Sequence, residues 1–184
     1  MTEPTAHVLA VDLPAHALLA RYRADAAFTD CLAIDVPRRV THAAFVEAFL
    51  TTPLFGLERR LLALFARRPS TDAQARLLAS AAADDRPFAA WAVEARAERQ
   101  LLLRDFTGRT RTWLMSEPLG ETATRLYLGS AVLPAGTDAS GRPVMGVAFH
   151  ALKPFHALYS RALLTAARRC LVRAGAADSD PLPL

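Results

Sequence analysis

LLLRDFTGRTRTWLM, residues 101–115, is the stretch of sequence that decides the fold. Apolar residues precede Thr107-Gly108, whose glycine suits a tight turn, and threonines alternate with other residues after it. The pattern predicts a β-hairpin, and each of its strands carries a charge among apolar residues, at Asp105 and at Arg111. The predicted strands cover 101–107 and 109–116.

Further strand patterns lie before and after this hairpin. Three segments with alternating, aromatic or β-branched residues end at prolines or at turn residues. They cover 28–36, 89–96 and 124–133. Short turns at Glu98-Arg99 and at 118–120 join the last four strands, so we expect an antiparallel meander.

Helical patterns fill much of the remaining chain. Thr41 is a suitable N-cap, and Thr71 and Gln74 have the spacing of a capping box. The predicted helices cover 42–50, 54–68, 71–83 and 151–172. The last and longest has a broad apolar stripe, which needs a sheet face to cover it. The order of elements therefore predicts an α+β helix-grip fold, in which a curved antiparallel sheet wraps around a long C-terminal helix.

Length and composition predict a single domain. The chain has 184 residues, of which 52% are hydrophobic, and this is enough for one sizeable core. We assign residues 1–24 to an N-terminal extension, residues 25–174 to the domain, and the Pro/Asp-rich residues 175–184 to a flexible tail.

Several functional classes lack their sequence signatures. No basic segment followed by an apolar run opens the chain, and no window of about 18 apolar residues occurs. We therefore expect no signal peptide, no membrane association and a cytoplasmic protein. The net charge is +4, but the arginines are scattered, which argues against nucleic-acid binding.

The sequence also lacks the motifs of metal and cofactor sites. Cys31 and Cys170 match no metal spacing, and we expect both to be buried free thiols. No Gly-rich phosphate loop occurs, so we expect no cofactor.

Five runs of residues together resemble a known bacterial family. They are FLTTPLFGLER (49–59), RPSTDAQARLLA (68–79), DFTGRTRTWLM (105–115), TRLYLGSAV (124–132) and FHALYSRALLTAARR (155–169). In combination they resemble the family called domain of unknown function 2867 (DUF2867), which is grouped with the START-like, or SRPBCC, proteins similar to Bet v 1. The resemblance spans residues 25–174 and implies a helix-grip fold with a cavity between the sheet and the last helix. It implies no established activity, substrate or catalytic residue.

The orientation of the hairpin decides which side chains face such a cavity. With tight turns on both sides of 101–107, Trp91 and Leu103 would share a face with Asp105, Arg111 and Trp113, and we take these five as candidate ligand contacts. Arg111 would hold an anionic or carbonyl oxygen, and Asp105 would orient it or act as a base. The alternatives are a structural ion pair, or a register shifted by one residue that puts the charges on the outer face.

The start of the last helix supplies a second set of candidates. Phe155 and Tyr159 belong to its apolar stripe, and we expect them to contact the ligand. His156 and Tyr159 are three residues apart and share a side of the helix, so this pair could transfer a proton near neutral pH. The alternative is an exposed histidine at the start of the helix. Asp105, Arg111 and His156 are therefore the three candidate catalytic residues.

Three functions fit these features. The first is a binding module for a hydrophobic small molecule, favoured by the apolar sheet face and by the absence of a catalytic motif. The second is an enzyme of the cyclase, dehydratase or hydrolase type, which needs only cavity shape and one or two acid–base groups. The third is a non-catalytic partner of an oxidoreductase, which the resemblance implies because some relatives carry this domain behind a dehydrogenase-like domain. A homodimer would suit this third function.

Overall fold

Residues 6–66, 70–80 and 88–177 are described by a computed structural model of the chain. They form an α+β structure with a curved, six-stranded antiparallel sheet and a long C-terminal helix, which confirms the predicted helix-grip arrangement. Four predicted segments lie partly outside these ranges: the N-terminal extension, the second and third helices, and the C-terminal tail. None of the described helices combines the length and the apolar character needed to cross a bilayer.

The described part of the chain contains two sheets. The strands of both sheets are β1 (Leu9–Ala10), β2 (Phe28–Val36), β3 (Trp91–Ala97), β4 (Gln100–Asp105), β5 (Thr110–Leu119), β6 (Ala123–Val132), β7 (Gly136–Thr137) and β8 (Pro143–Val144). The first six form the main sheet in the order β1-β2-β6-β5-β4-β3, so β3 to β6 are the predicted meander. β7 and β8 form a small ribbon in the segment after β6.

Within the described ranges, four α-helices accompany the main sheet. They are α1 (His42–Leu50), α2 (Pro53–Ala66), α3 (Asp72–Ala79) and α4 (Val147–Ala177). The Thr41 side chain caps α1, and Thr71 and Gln74 form the predicted capping box at the start of α3. α4 begins at Val147 rather than at Ala151.

The inner face of the sheet packs against the helices. Its buried residues belong to the larger core: Leu32, Ile34, Val36, Leu101, Leu103, Leu114, Leu126 and Leu128. α4 contributes Leu163, Leu164, Ala167 and Leu171 to the same core. Because each fully buried leucine contributes roughly 1.5–3 kcal/mol, this contact holds the second half of α4 firmly on the sheet.

The N-terminal residues cover the outer face of the sheet. Leu13, Ala17, Leu19 and Tyr22 pack there, the last two within a 3₁₀ helix at Leu18–Arg23. They contact a second core of sheet residues, formed by Cys31, Ala33, Leu102, Trp113, Met115, Tyr127 and Ala131. Residues that we assigned to an N-terminal extension therefore complete one side of the sheet.

The register of the central hairpin is one residue away from the predicted one. Arg104 lies opposite Arg111, and Leu103 lies opposite Thr112. β4 ends at Asp105 and β5 begins at residue 110, so an even number of residues connects them. Odd positions of β4 therefore share a face with even positions of β5, and the prediction that Asp105 and Arg111 share a face is wrong.

The two cysteines have different surroundings. Cys31 is buried, as predicted, and burial raises the pKa of its thiol to about 12. Cys170 is exposed, which contradicts the prediction. The reason is helical geometry: Ala167 and Leu171 face the sheet, and one residue before Leu171 the helix has turned by about 100°.

Candidate functional site

A cavity of about 640 Å³ lies between the inner face of the sheet, α2 and the first half of α4. Its volume is in the range of pockets that hold small molecules. The apolar residues among its described lining are Phe49, Leu54, Phe55, Leu57, Trp91, Leu128, Leu152, Phe155 and Leu163. Leu57, Leu152 and Phe155 are 52%, 59% and 65% exposed, so they mark the mouth of the cavity.

Glu58 on α2 and Tyr159 on α4 form the first polar pair in the cavity. The Tyr159 hydroxyl donates a hydrogen bond to Oε2 of Glu58. Burial raises the pKa of Glu58 above its ordinary value, although the hydrogen bond and the nearby His156 offset part of the rise. Burial and the contact with Glu58 both raise the pKa of Tyr159. Tyr159 therefore keeps its proton near neutral pH and acts as the donor.

His156 forms a second polar cluster in the cavity wall. Its Nε2 atom lies 3.0 Å from Oγ of Ser130, 3.5 Å from Oγ of Ser160 and 3.4 Å from Oδ2 of Asp30. Oδ1 of Asp30 also accepts a hydrogen bond of 3.0 Å from the backbone N–H of Ser130, its cross-strand neighbour. Both serines are buried, whereas the side chains of His156 and Asp30 are 34% and 30% exposed.

This cluster has the residue types of a Ser-His-Asp triad but a different geometry. In a triad, the carboxylate holds Nδ1 of the histidine while Nε2 faces the nucleophilic serine. Here the contacts of His156 with Asp30 and with both serines all run through Nε2. The carboxylate and the hydroxyls thus compete for one ring nitrogen, and the arrangement does not activate a serine.

Aromatic rings form a third feature of the cavity. The rings of Phe155 and Tyr159 are stacked, with centroids 5.7 Å apart and planes 11° from parallel. Trp91 lines the cavity from β3, and its Nε1 is buried with no hydrogen-bond partner among the described residues. A buried donor without an acceptor costs about 1–3 kcal/mol, so an acceptor on a ligand that reached the Trp91 N–H would be stabilising.

Four of the predicted site residues lie at this cavity: Trp91, Phe155, His156 and Tyr159. The predicted proton-transfer pair has other partners, since Tyr159 bonds Glu58 and His156 contacts Ser130. His156 also lies well inside α4, which begins at Val147, rather than at its start.

The other predicted residues of the inner face lie outside the cavity. Leu103 is 2% exposed in the larger core. Asp105 closes the β4–β5 connection, where its carboxylate accepts hydrogen bonds from the backbone N–H groups of Arg109 and Thr110 and from the Thr107 hydroxyl. Its position corrects the prediction of a catalytic role, because these local hydrogen bonds already occupy the carboxylate.

Arg111 and Trp113 lie on the outer face, so their predicted contact with a ligand in the cavity is wrong. Nε of Arg111 donates to Oε2 of Glu94 at 2.9 Å and to the Tyr22 hydroxyl at 2.8 Å. Nε1 of Trp113 donates to Oε1 of Gln100 at 2.9 Å. These groups form a structural polar layer under the N-terminal segment, because the hairpin register turns them away from the helices.

The polar groups that the sequence did not reveal come from distant segments. Glu58, Asp30, Ser130 and Ser160 carry no motif, and their neighbours in sequence do not predict their partners. The one usable signal is that Ser130 and Leu128 are two residues apart on β6 and hence share a face. Across the described residues, no group of three or more histidine, cysteine or acidic side chains is placed to hold a metal ion.

Comparisons with known protein families, with curated proteins and with solved structures each return no match. The resemblance to DUF2867 and to the START-like proteins therefore stays a prediction. The site itself consists of an apolar cavity with a carboxylate–tyrosine pair, a histidine cluster and an unused indole N–H, and these groups suit the binding of a small molecule.

Proposed function

We propose that this protein binds a hydrophobic small molecule in the cavity between the sheet, α2 and α4. The observation that carries the proposal is the cavity of about 640 Å³, whose lining is mostly apolar with a few convergent polar groups. Its mouth is formed by exposed apolar side chains, Leu57, Leu152 and Phe155, over which an apolar ligand would enter. The resemblance to START-like proteins supports the same function.

A blocking variant tests the proposal. Thr112 on β5 lines the cavity and lies opposite Ser130, so a tryptophan at this position would fill space that the ligand needs. We expect N-phenyl-1-naphthylamine, a neutral apolar probe that fluoresces in apolar surroundings, to bind the unmodified protein. Thr112→Trp should weaken this binding about tenfold or more, since a filled pocket loses the apolar contacts.

The matched control is Thr137→Trp, the same change at an exposed position of β7. It should bind the probe as the unmodified protein does, and circular dichroism should show both variants folded. Native mass spectrometry of the purified protein adds a test for a retained ligand. If the probe does not bind, or if both variants bind it equally, the proposed function is wrong.

A further inference from the structure

The charges around the cavity are unbalanced. Among its described lining residues, none is lysine or arginine, and the ionisable ones are Glu58, His156 and Tyr159. Asp30 adds a second carboxylate behind His156. The described residues of the site thus supply two carboxylates, Glu58 and Asp30, and one imidazole, that of His156.

The Glu58 carboxylate has unused capacity for hydrogen bonds. Its hydrogen-bond partner among the described side chains is the Tyr159 hydroxyl, which occupies Oε2. An ionised carboxylate has about four acceptor positions, so Oε1 and part of Oε2 stay available. Since Glu58 lines the cavity, a donor on a ligand can reach these positions.

Aromatic rings line the same cavity as this carboxylate. Tyr159 is stacked on Phe155 at 5.7 Å, and Trp91 and Phe55 line the cavity from β3 and α2. The faces of such rings attract a cation. A carboxylate within an aromatic and aliphatic lining is the combination that recognises an organic ammonium group.

We propose that the ligand is an apolar amine, whose cationic nitrogen pairs with the Glu58 carboxylate while its apolar body lies against the leucine and aromatic side chains of the cavity. This inference rests on the proposed function. A ligand with a carboxylate head is disfavoured, because its negative charge would lie beside the like charge of Glu58.

Three ligands that differ only in the head group test the inference. Decylamine, decanol and undecanoate each carry a ten-carbon apolar chain, and displacement of N-phenyl-1-naphthylamine measures the affinity of each. We expect the amine to bind about tenfold more tightly than the alcohol, and the carboxylate to bind more weakly than the alcohol. The net charge of +4 attracts anions in general, so a preference for the amine would have to come from the cavity. The Thr112→Trp variant, in which the cavity is filled, measures how much of each ligand binds elsewhere on the protein surface.

Two variants assign the preference to one residue. Glu58→Gln should lower the affinity for decylamine about tenfold and leave decanol within twofold, because only the charge is removed. Glu98→Gln, with the same change at a carboxylate that is 89% exposed in the β3–β4 turn, should leave both affinities unchanged. Thermal unfolding shows whether each variant is folded. If Glu58→Gln does not fold, the affinities of the three ligands for the unmodified protein still test the inference.

The outcomes separate the two proposals. If decanol binds and decylamine binds no more tightly, the amine inference is wrong and the proposed function stands. If Glu58→Gln keeps the preference, or if Glu98→Gln also loses it, Glu58 is not the recognising group and the inference fails. If neither the probe nor any of the three ligands binds, the proposed function fails and the inference fails with it.

Discussion

At the scale of single residues, His42 links stability to pH. It begins α1, and its Nε2 atom is buried with no hydrogen-bond partner among the described residues. Burial, together with the charge of Arg96, lowers its pKa from 6.5 to about 4. The unfolded chain therefore takes up a proton near pH 6.5, whereas the folded protein takes it up only near pH 4. As the pH falls between these values, protonation favours the unfolded state.

As the pH falls from 7 to 5, we expect the titration of His42 to lower the free energy of unfolding by about 2 kcal/mol. Urea unfolding at the two pH values measures the change, and His42→Gln should remove this part of it. The control is His7→Gln, at an exposed histidine, which should keep the pH dependence of the unmodified protein. The same pH dependence in all three proteins would show that His42 is not the titrating group.

At the scale of elements, the β4–β5 hairpin depends on Asp105. Its Oδ1 accepts hydrogen bonds of 2.9 Å from the N–H of Arg109 and 3.0 Å from the N–H of Thr110, which hold the connection in shape. We expect Asp105→Ala to lower the free energy of unfolding by about 1–2 kcal/mol, because these donors lose their acceptor. Affinity for the apolar probe should stay within twofold, since the residue lies outside the cavity.

Urea unfolding and probe titration of the same preparations check this expectation. Asp105→Asn keeps one acceptor oxygen and should lose less stability than Asp105→Ala. If a variant keeps its stability but no longer binds the probe, Asp105 contributes to ligand binding and our assignment is wrong.

At the scale of the whole molecule, both faces of the sheet are covered, and the cover of the outer face comes from the N-terminal segment. Leu19 is fully buried there, beside Trp113. We expect Leu19→Ala to lower the free energy of unfolding by about 2–5 kcal/mol, because it opens a cavity in the second core. Leu9→Ala, at a leucine of β1 that is 48% exposed, should change it by about 0.5 kcal/mol or less.

Urea unfolding of the two variants compares a buried leucine with an exposed one. Equal stabilities would mean that residues before 25 are an appendage outside the cooperative unit. A large loss in Leu19→Ala alone would place them within it.

The sequence by itself determined the local elements. β2 and α1 have the predicted bounds, and Thr41, Thr71 and Gln74 cap helices as their spacing indicates. These features follow from hydrogen bonds and apolar periods within a few residues, which sequence patterns record directly. The order of the elements then sufficed to predict the helix-grip arrangement.

The tertiary structure alone decided the face of each strand and the composition of the cavity. Periodicity shows that alternate residues share a face, but the number of residues in the β4–β5 connection decides which face Arg111 and Trp113 take. Glu58 meets Tyr159, and Asp30 meets His156, only because α2, α4 and β2 pack together. Such contacts join residues far apart in the chain, and their energy depends on burial that no short stretch of sequence specifies.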